Sequence, residues 1–265
     1  MLTGLQEYHR PTDLDAALTL LRRADIPTAP LAGGTSLIAE GARGIAAVVD
    51  LQGLGLSYIR AVPGALAIGA MTTLQEMLDS PLAQTFTQGL LAQAARLAAN
   101  RNIRNQATVG GTLVTADARD DLLIALLALD ARAVLDGIEA IPAAQITREQ
   151  LEGRLITEVR IPSLDENAGV GMERVARAPS DRAIIVAAAR VTGAGAPRAC
   201  RVAIGGLTAA AAMWQVTASS PAEALAHLAL DQAPVAPDDP LGSADYRREM
   251  ARVLAGRAIA QAWGR

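Results

Sequence analysis

The 265-residue sequence predicts an α+β fold, and three observations predict it. The first ~60 residues alternate helix-period and strand-period patterns. Residues 172–207 hold three strand-like runs in succession, and two helical segments close the chain. Strands followed by helices are the pattern of an α+β unit. Just over half of the residues are hydrophobic (51%) and 19% are charged, which marks a globular and not a disordered chain. The length allows one large domain or two smaller ones, each with a real core.

The first helix opens at Pro11-Thr12-Asp13 and runs to about Arg23. Thr12 and Asp15 are spaced as a capping box, and Leu14, Ala17, Leu18 and Leu21 form the apolar stripe. A short strand over 27–31 meets Ala32-Gly33-Gly34-Thr35-Ser36, then a brief helix through Glu40 and a buried strand over 46–50. Strands over 57–62 and 65–70 flank Pro63-Gly64, a hairpin signature. Thr72-Thr73 caps a helix reaching Leu78, and an Ala-rich helix covers 89–99. The polar, Gly-rich stretch 100–113 reads as a loop, 120–129 as a third helix, and 131–136 and 155–161 as strands. The polar break at 162–168 is the best candidate boundary. Beyond it lie strands over 172–176, 183–191 and 200–207 and helices over 221–230 and 243–262, the last preceded by the Pro-rich stretch 233–240.

Several function classes are excluded. No stretch approaches the ~20 uncharged apolar residues of a membrane helix, and the N-terminus lacks the basic start and apolar run of a signal peptide, so the expected location is cytoplasmic. Net charge is −3, with no long basic run and only six aromatics, which disfavours nucleic-acid binding. Cys200 is the single cysteine, whereas an iron–sulfur cluster needs about four. His9 and His227 have no metal-ligand spacing, so no metal site is expected. No Ser-His-Asp or Cys-His pairing is suggested. If the chain takes part in redox chemistry, a bound organic cofactor must carry it.

Two double-glycine motifs stand out. Gly33-Gly34-Thr35-Ser36 lies between a strand and a helix, where a backbone without Cβ atoms turns tightly and approaches a ligand closely. Successive N–H groups can converge there on an anion. Thr108-Val109-Gly110-Gly111-Thr112 is a second instance, with Arg101 and Arg104 before it and Asp117 and Asp121 after it. Each alone is an ordinary turn as readily as a site; together they could hold the two phosphates of a dinucleotide. Neither fits the G-x-G-x-x-G fingerprint, and no Walker A sequence occurs.

The segments LAGGTSLI, IRNQATVGGTLVTADARDDLLIALLALDA and LITEVRIP, followed by RVARAPSDRAIIVAAARV, CRVAIGGL and GSADYRREMARVLAGRAIAQA, resemble the FAD-binding medium subunit of the molybdenum hydroxylases, the family of xanthine dehydrogenase and carbon monoxide dehydrogenase. The similarity is colinear over nearly the whole chain. It implies a PCMH-type FAD-binding domain over 1–163, made of two α/β subdomains (about 1–55 and 56–163) with the cofactor between them. An α+β C-terminal flavoprotein domain over 169–265 would follow.

On that resemblance, Ala32, Gly33, Gly34, Thr35, Ser36 and Leu37 lie against the FAD pyrophosphate. Thr108, Gly110, Gly111 and Thr112 bind phosphates and the ribityl region. Asp121 matches a family aspartate at the FAD site, with Asp117 a nearby match. Leu155 matches a hydrophobic position whose backbone meets the flavin ring, and Arg174 falls near a family lysine that contacts the cofactor. Read without the resemblance, Asp121 is equally a favourable first-turn charge, and Arg174 equally an exposed strand arginine. Arg101 and Arg104 read as a solvated loop face, Gly205-Gly206 as a turn, and Cys200 as a buried small hydrophobe. The family commonly has Asp at the position of Ser36 and Asn at that of Thr112. The stretch 140–153 is shorter than the family pattern and lacks its aromatic pair.

The resemblance further implies an electron-exit module with no general acid or base of its own. Substrate would be oxidised at molybdopterin on a large partner subunit. Electrons would pass through [2Fe-2S] clusters on a small partner subunit and reach an external acceptor by way of FAD here. The complex would be a dimer of heterotrimers. Two other readings use the same residues: a scaffold subunit that has lost FAD, and a freestanding flavin oxidoreductase.

Overall fold

The computed structural model describes residues 4–39, 41, 44–179 and 181–264, and its strands form three sheets. The first sheet comes from β1 (Glu7–His9), α1 (Leu14–Arg22), β2 (Thr28–Leu31), α2 (Thr35–Ala39) and β3 (Ala47–Asp50). Its three strands are parallel in the order β1-β3-β2. Every residue of the central β3 is buried: Ala47–Val49 as their apolar run predicts, and Asp50 at its end as a buried carboxylate. The cap of α1 is Asp13 and not Thr12. Asp13 is extended, and its carboxylate accepts from the Ala16 amide at 2.8 Å, so the helix starts later than the Thr12–Asp15 spacing suggests. Glu40, the expected end of the next helix, lies outside the described residues; α2 ends at Ala39.

The second unit holds β4 (Ile59–Val62), β5 (Ala65–Gly69), α3 (Leu74–Asp79), α4 (Pro81–Phe86), α5 (Leu90–Ala98), α6 (Arg101–Arg104), α7 (Val109–Thr115), α8 (Asp121–Ala128), β6 (Arg132–Leu135), β7 (Glu139–Pro142) and β8 (Ile156–Pro162). The sheet is antiparallel in the order β4-β5-β8-β6-β7. Thr73 caps α3 through a complete capping box: its hydroxyl accepts from the Glu76 amide (3.1 Å), and the Glu76 carboxylate accepts from the Thr73 amide (2.7 Å). Thr73→Ala should lower stability by about 1 kcal/mol, read as a fall in the urea midpoint at constant m-value.

The stretch 100–113, expected to be a loop, is mostly helix. Asn100 caps α6, and Thr108 caps α7 by accepting from the Gly111 amide at 3.1 Å. Two glycines in a first helical turn look like a loop because Gly is a poor helix former. Packing explains Gly110: a Cβ there would lie 2.8 Å from Ala70 Cβ and 2.9 Å from Ala70 O, so α7 starts pressed against the end of β5. Nor is Arg104 a solvated loop cation. It donates to Ala99 O (2.6 Å), closing the end of α5, and to Gln75 Oε1 (3.0 Å) on α3. Arg101 is exposed, as expected.

The third sheet is an antiparallel meander of β9 (Gly169–Val175), β10 (Ile185–Thr192), β11 (Arg198–Gly205) and β12 (Ala212–Ala218), covered by α9 (Pro221–His227) and α10 (Ala244–Trp263). Residues alternate faces along a strand, and β10 is buried on both. Ile185, Ala187, Ala189 and Val191 enter a core with α10, while Val186 and Ala188 enter the large core of the second unit. Between the two sheets runs α8, whose eight residues are all buried. Arg190 and Arg201, from β10 and β11, donate to Leu129 O (3.0 Å) and Leu127 O (2.9 Å) at its C-terminal end, where cations are favoured.

Candidate cofactor-binding site

At the end of β2 the chain turns through Ala32-Gly33-Gly34 into α2. Gly34 has φ +72°, the left-handed region that favours glycine. A Cβ on Gly33 would lie 1.7 Å from Gln106 O and 2.6 Å from Gln106 C, so this turn rests directly on the backbone between α6 and α7. The two glycine motifs are therefore drawn together, although the residue that touches the first turn is Gln106 and not Gly110 or Gly111. The Ile38 amide donates to Gly34 O at 2.9 Å and opens the helix. The amides of Gly33, Gly34, Thr35, Ser36 and Leu37 have no acceptor among the described residues, nor do the Thr35 and Ser36 hydroxyls. All five residues are half-buried.

The second motif differs. Its amides are committed inside the chain: Val109 to Thr72 O (3.0 Å), Gly110 to Ala70 O (2.9 Å), Gly111 to Thr108 Oγ1 (3.1 Å) and Thr112 to Thr108 O (3.0 Å). The expected pair of equivalent anion-binding loops is thus one turn with free amides and one helix start whose amides are taken. Gly110 and Thr112 are buried, and Gly111 is half-buried. What this segment presents to the cleft is Asn105, Gln106 and Thr108.

The cleft between these parts measures about 270 Å³. Ala32 and Gly33 form one wall, Gln106 and Thr108 the other, and Leu56 and Met71 supply apolar surface. Pockets for whole drug-sized ligands span ~300–1,000 Å³, so this volume suits one part of an extended dinucleotide. Asn105, Gln106, Gln52 and Met71 were not singled out by sequence reasoning. For Asn105 and Gln106, the only signal was an amide pair just ahead of Thr108.

Asp117, Asp121, Leu155 and Arg174 lie outside the lining of that cleft. Asp121 and Arg174 meet each other: Arg174 Nη1 donates to Asp121 Oδ2 at 2.8 Å, with Asp121 buried and Arg174 mostly so. The exposed-strand reading of Arg174 is thereby corrected. Asp121 Oδ1 is buried with no hydrogen-bond partner among the described residues. Burial pushes the Asp121 carboxyl up to about 7 against the pull of Arg174, and pushes its neighbour Asp120 up to about 6. Asp117 pairs with Arg182 and accepts from the Arg119 amide at 2.9 Å. Leu155 is buried against Leu18, Val49 and Ala32, and both its backbone groups bond to Asp136 at 2.8 Å.

The pH consequence has a definite sign. The folded Asp121 carboxyl sits above its ordinary 3.8, so folding takes up a proton. The stability it contributes is complete below about pH 4 and is lost as pH rises through about 7. The cofactor-free protein should therefore melt lower at pH 8 than at pH 5.5, and Asp121→Asn should flatten that difference in a calorimetric scan.

Cys200 is buried, and its thiol is pushed up to about 11 by burial, which removes it as a nucleophile. Among the described residues no group of three or more His, Cys, Asp or Glu could hold a metal ion. No described helix is long and apolar enough to cross a membrane.

A strand-to-helix turn laid on a polar strap, carried by three such sheets, marks an α+β protein with a candidate anion-binding turn. Residues 3–164 match the family model described as "FAD binding domain in molybdopterin dehydrogenase", and the chain belongs to that family of oxidoreductase flavoprotein subunits. It is 31% identical over 288 residues to the carbon monoxide dehydrogenase medium chain of Afipia carboxidovorans, covering 100% of this chain and 99% of that one. To the 6-hydroxypseudooxynicotine dehydrogenase complex subunit alpha of Paenarthrobacter nicotinovorans it is 33% identical over 240 residues, 81% of this chain and 79% of the other. Its fold matches a chain of carbon monoxide dehydrogenase from Hydrogenophaga pseudoflava, a form lacking the Mo-pyranopterin moiety of the molybdenum cofactor. The TM-score is 0.87 at 26% identity, over 100% of this chain and 99% of that chain. The expected α+β fold and family membership are borne out.

The residues present fit FAD. Five successive amides and two hydroxyls, without partners among the described residues, are donors suited to a pyrophosphate.

Proposed function

We propose that this chain is the electron-exit subunit of a molybdenum hydroxylase, taking electrons from an iron–sulfur partner and delivering them to an external acceptor. The observation that carries the reading is the run of half-buried amides from Gly33 to Leu37 that have no acceptor among the described residues, a run that starts at Gly33 on the wall of a cleft with polar and apolar surface. FAD, when bound, supplies the electron-accepting and electron-donating chemistry. The amides of Gly33 to Leu37, with the Thr35 and Ser36 hydroxyls, would hold the pyrophosphate. Gln106 and Thr108 close the opposite wall, and Leu56 and Met71 exclude water from part of the cleft. Gly110, Gly111 and Thr112 would support the ribityl region through the fixed start of α7. Asp121 would accept a cofactor hydroxyl, Leu155 would pack behind the first turn, and Asp117 would steady the segment ahead of α8. No acid or base of this chain is needed.

A single cysteine cannot ligate an iron–sulfur cluster. We therefore assign molybdopterin to a large partner and the [2Fe-2S] clusters to a small one, in a cytoplasmic dimer of heterotrimers. The tagged chain, purified from its own cells, should bring down both partners in equal amounts, and the isolated flavin-loaded chain should not oxidise NADH. Recovery of the chain alone, with NADH turnover, would instead establish a freestanding flavin oxidoreductase.

A further inference from the structure

The five-stranded sheet has two unlike faces. Leu66 and Ile68 of β5, Ala133 of β6, and Val159 and Ile161 of β8 belong to the large hydrophobic core. The other face carries charge. Directly opposite residues of an antiparallel pair share a face. The register runs from Arg60 to Ala67, from Ala67 to Arg160, from Arg160 to Arg132 and from Arg132 to Pro142. One row therefore crosses all five strands and holds three arginines. From Arg60 to Arg132 it spans three strand spacings, ~14 Å. The side chains of Arg60 and Arg160 are 61% and 49% exposed, and Arg132 is exposed as well. None of the three lines the cofactor cleft.

Glu158 is the acid of this face. It is buried, and its carboxylate accepts from Tyr58 Oη (2.9 Å), Arg60 Nη2 (3.1 Å) and Arg160 Nε (2.5 Å). The Arg60 guanidinium also lies over the Tyr58 ring, 4.6 Å from its centroid. One carboxylate thus steadies two guanidinium groups, and the row stays net positive on a chain whose net charge is −3. Glu139, the other acid of these strands, is in register with core-facing Leu135 and pairs with Arg154. Arg132 pairs with no acid among the described residues; it donates to Ala140 O at 2.7 Å. It stands directly opposite Arg160, and like charges so placed are destabilising. Stability of the chain alone gives no reason for that pair. Side chains already held in place lose little freedom on binding, so the row is prepared to meet negative charge.

We propose that the arginine row Arg60–Arg160–Arg132 is a docking surface for the acidic face of a protein subunit that works with this chain. The proposal rests on the multisubunit reading of the function. Complementary charge fixes the register of such an interface and speeds encounter. A row this long, on the face of a sheet, suits a protein surface, because sites for small ligands are concave. Tyr58 is the one aromatic of the face and already lies under Arg60, so there is no stacking platform for a nucleic acid.

The experiment uses the complex purified with its partners, and it exploits the absence of lysine from the sequence. Arg132→Lys gives the chain its one side-chain amine. A carbodiimide joins an amine to a carboxylate only where the two touch, and the lysine-free wild type sets the background. Arg132→Lys should give a covalent product between this chain and a partner subunit, mapped to an Asp or Glu of that partner. In parallel, Arg132→Glu should weaken subunit association on the order of tenfold or more, and the complex should separate at lower salt. The same change places a carboxylate opposite Arg160, so the melting temperature of the full chain by itself should hold or rise. If Arg132→Glu melts lower, the cross-link decides alone. A complex with no cross-link above background and an unmoved salt midpoint overturns the proposal and leaves the multisubunit reading intact. Retention on phosphatidylglycerol vesicles or on DNA that Arg132→Glu abolishes, without a subunit cross-link, also overturns it. Recovery of the chain without partners overturns both.

Discussion

Gly33→Ala should strip the complex of its flavin and lower its unfolding free energy by about 3 kcal/mol, at the upper end of ordinary overpacking costs. The added methyl would lie 1.7 Å from Gln106 O, and a backbone carbonyl cannot swing aside as a side-chain end can. The turn and the strap must separate, which tilts the free amides of residues 33–37 away from the common anion they would serve. The measurement is a flavin-to-protein absorbance ratio beside a denaturant melt. Thr35→Val separates the two effects: it should weaken FAD binding and leave the melt almost unchanged, because the Thr35 hydroxyl has no partner among the described residues. A Gly33→Ala complex that keeps full flavin would show that the turn does not hold the cofactor.

Removing residues 169–265 should abolish cooperative folding of the remainder. The polar break at 162–168 marks a change of sheet, yet the large hydrophobic core runs through it, from Leu66 to Val186, Ala188 and Ala203. Truncation would expose one side of α8, whose residues are apolar all round apart from Asp121. It would also remove Arg190 and Arg201 from its C-terminal carbonyls and leave Asp121 without Arg174. Breaking a buried ion pair by removing one partner costs ~3–5 kcal/mol on its own. The truncated chain should bind a hydrophobic dye, keep much of its helical circular dichroism and melt without a sharp transition, the marks of a compact but unpacked state. A sharp melt for residues 1–168 would contradict this view of α8.

Much of the fold was legible in the sequence because its strongest elements carry their own signals. β3 holds the apolar run Ala47–Val49 and β10 the run Ile185–Ala189, and both runs are buried. α5 is an amphipathic Leu- and Ala-rich helix, and α8 is capped by Asp120 and apolar beyond Asp121. Elements whose reasons lie elsewhere in the chain were missed. α7 hides behind Gly110, a glycine demanded by Ala70 forty residues earlier. β7 contains Pro142 at a sheet edge, and β12 is a half-exposed edge strand with polar residues.

The candidate site divides the same way. The Gly33 turn could be read from residue type and order. That Gln106 supports it, that the Gly110 and Gly111 amides are already committed, and that Arg174 meets Asp121 are facts of tertiary packing. No local pattern encodes them. The Gly205-Gly206 pair shows both cases side by side. Gly206, at φ +83°, is the turn the sequence suggests. Gly205 is a packing glycine whose Cβ would lie 2.0 Å from Ala118 O, against the segment leading into α8.

In the proposed function, the amides from Gly33 to Leu37 hold an FAD pyrophosphate in the assembled complex. The most direct measurement is the visible spectrum and released-nucleotide content of the full chain purified with its partners. Flavin absorption bands are expected, with one FAD released per chain, and both should be lost in Gly33→Ala. A wild-type complex with both partners present and no flavin would contradict it and leave the chain as a scaffold that keeps the fold without the cofactor.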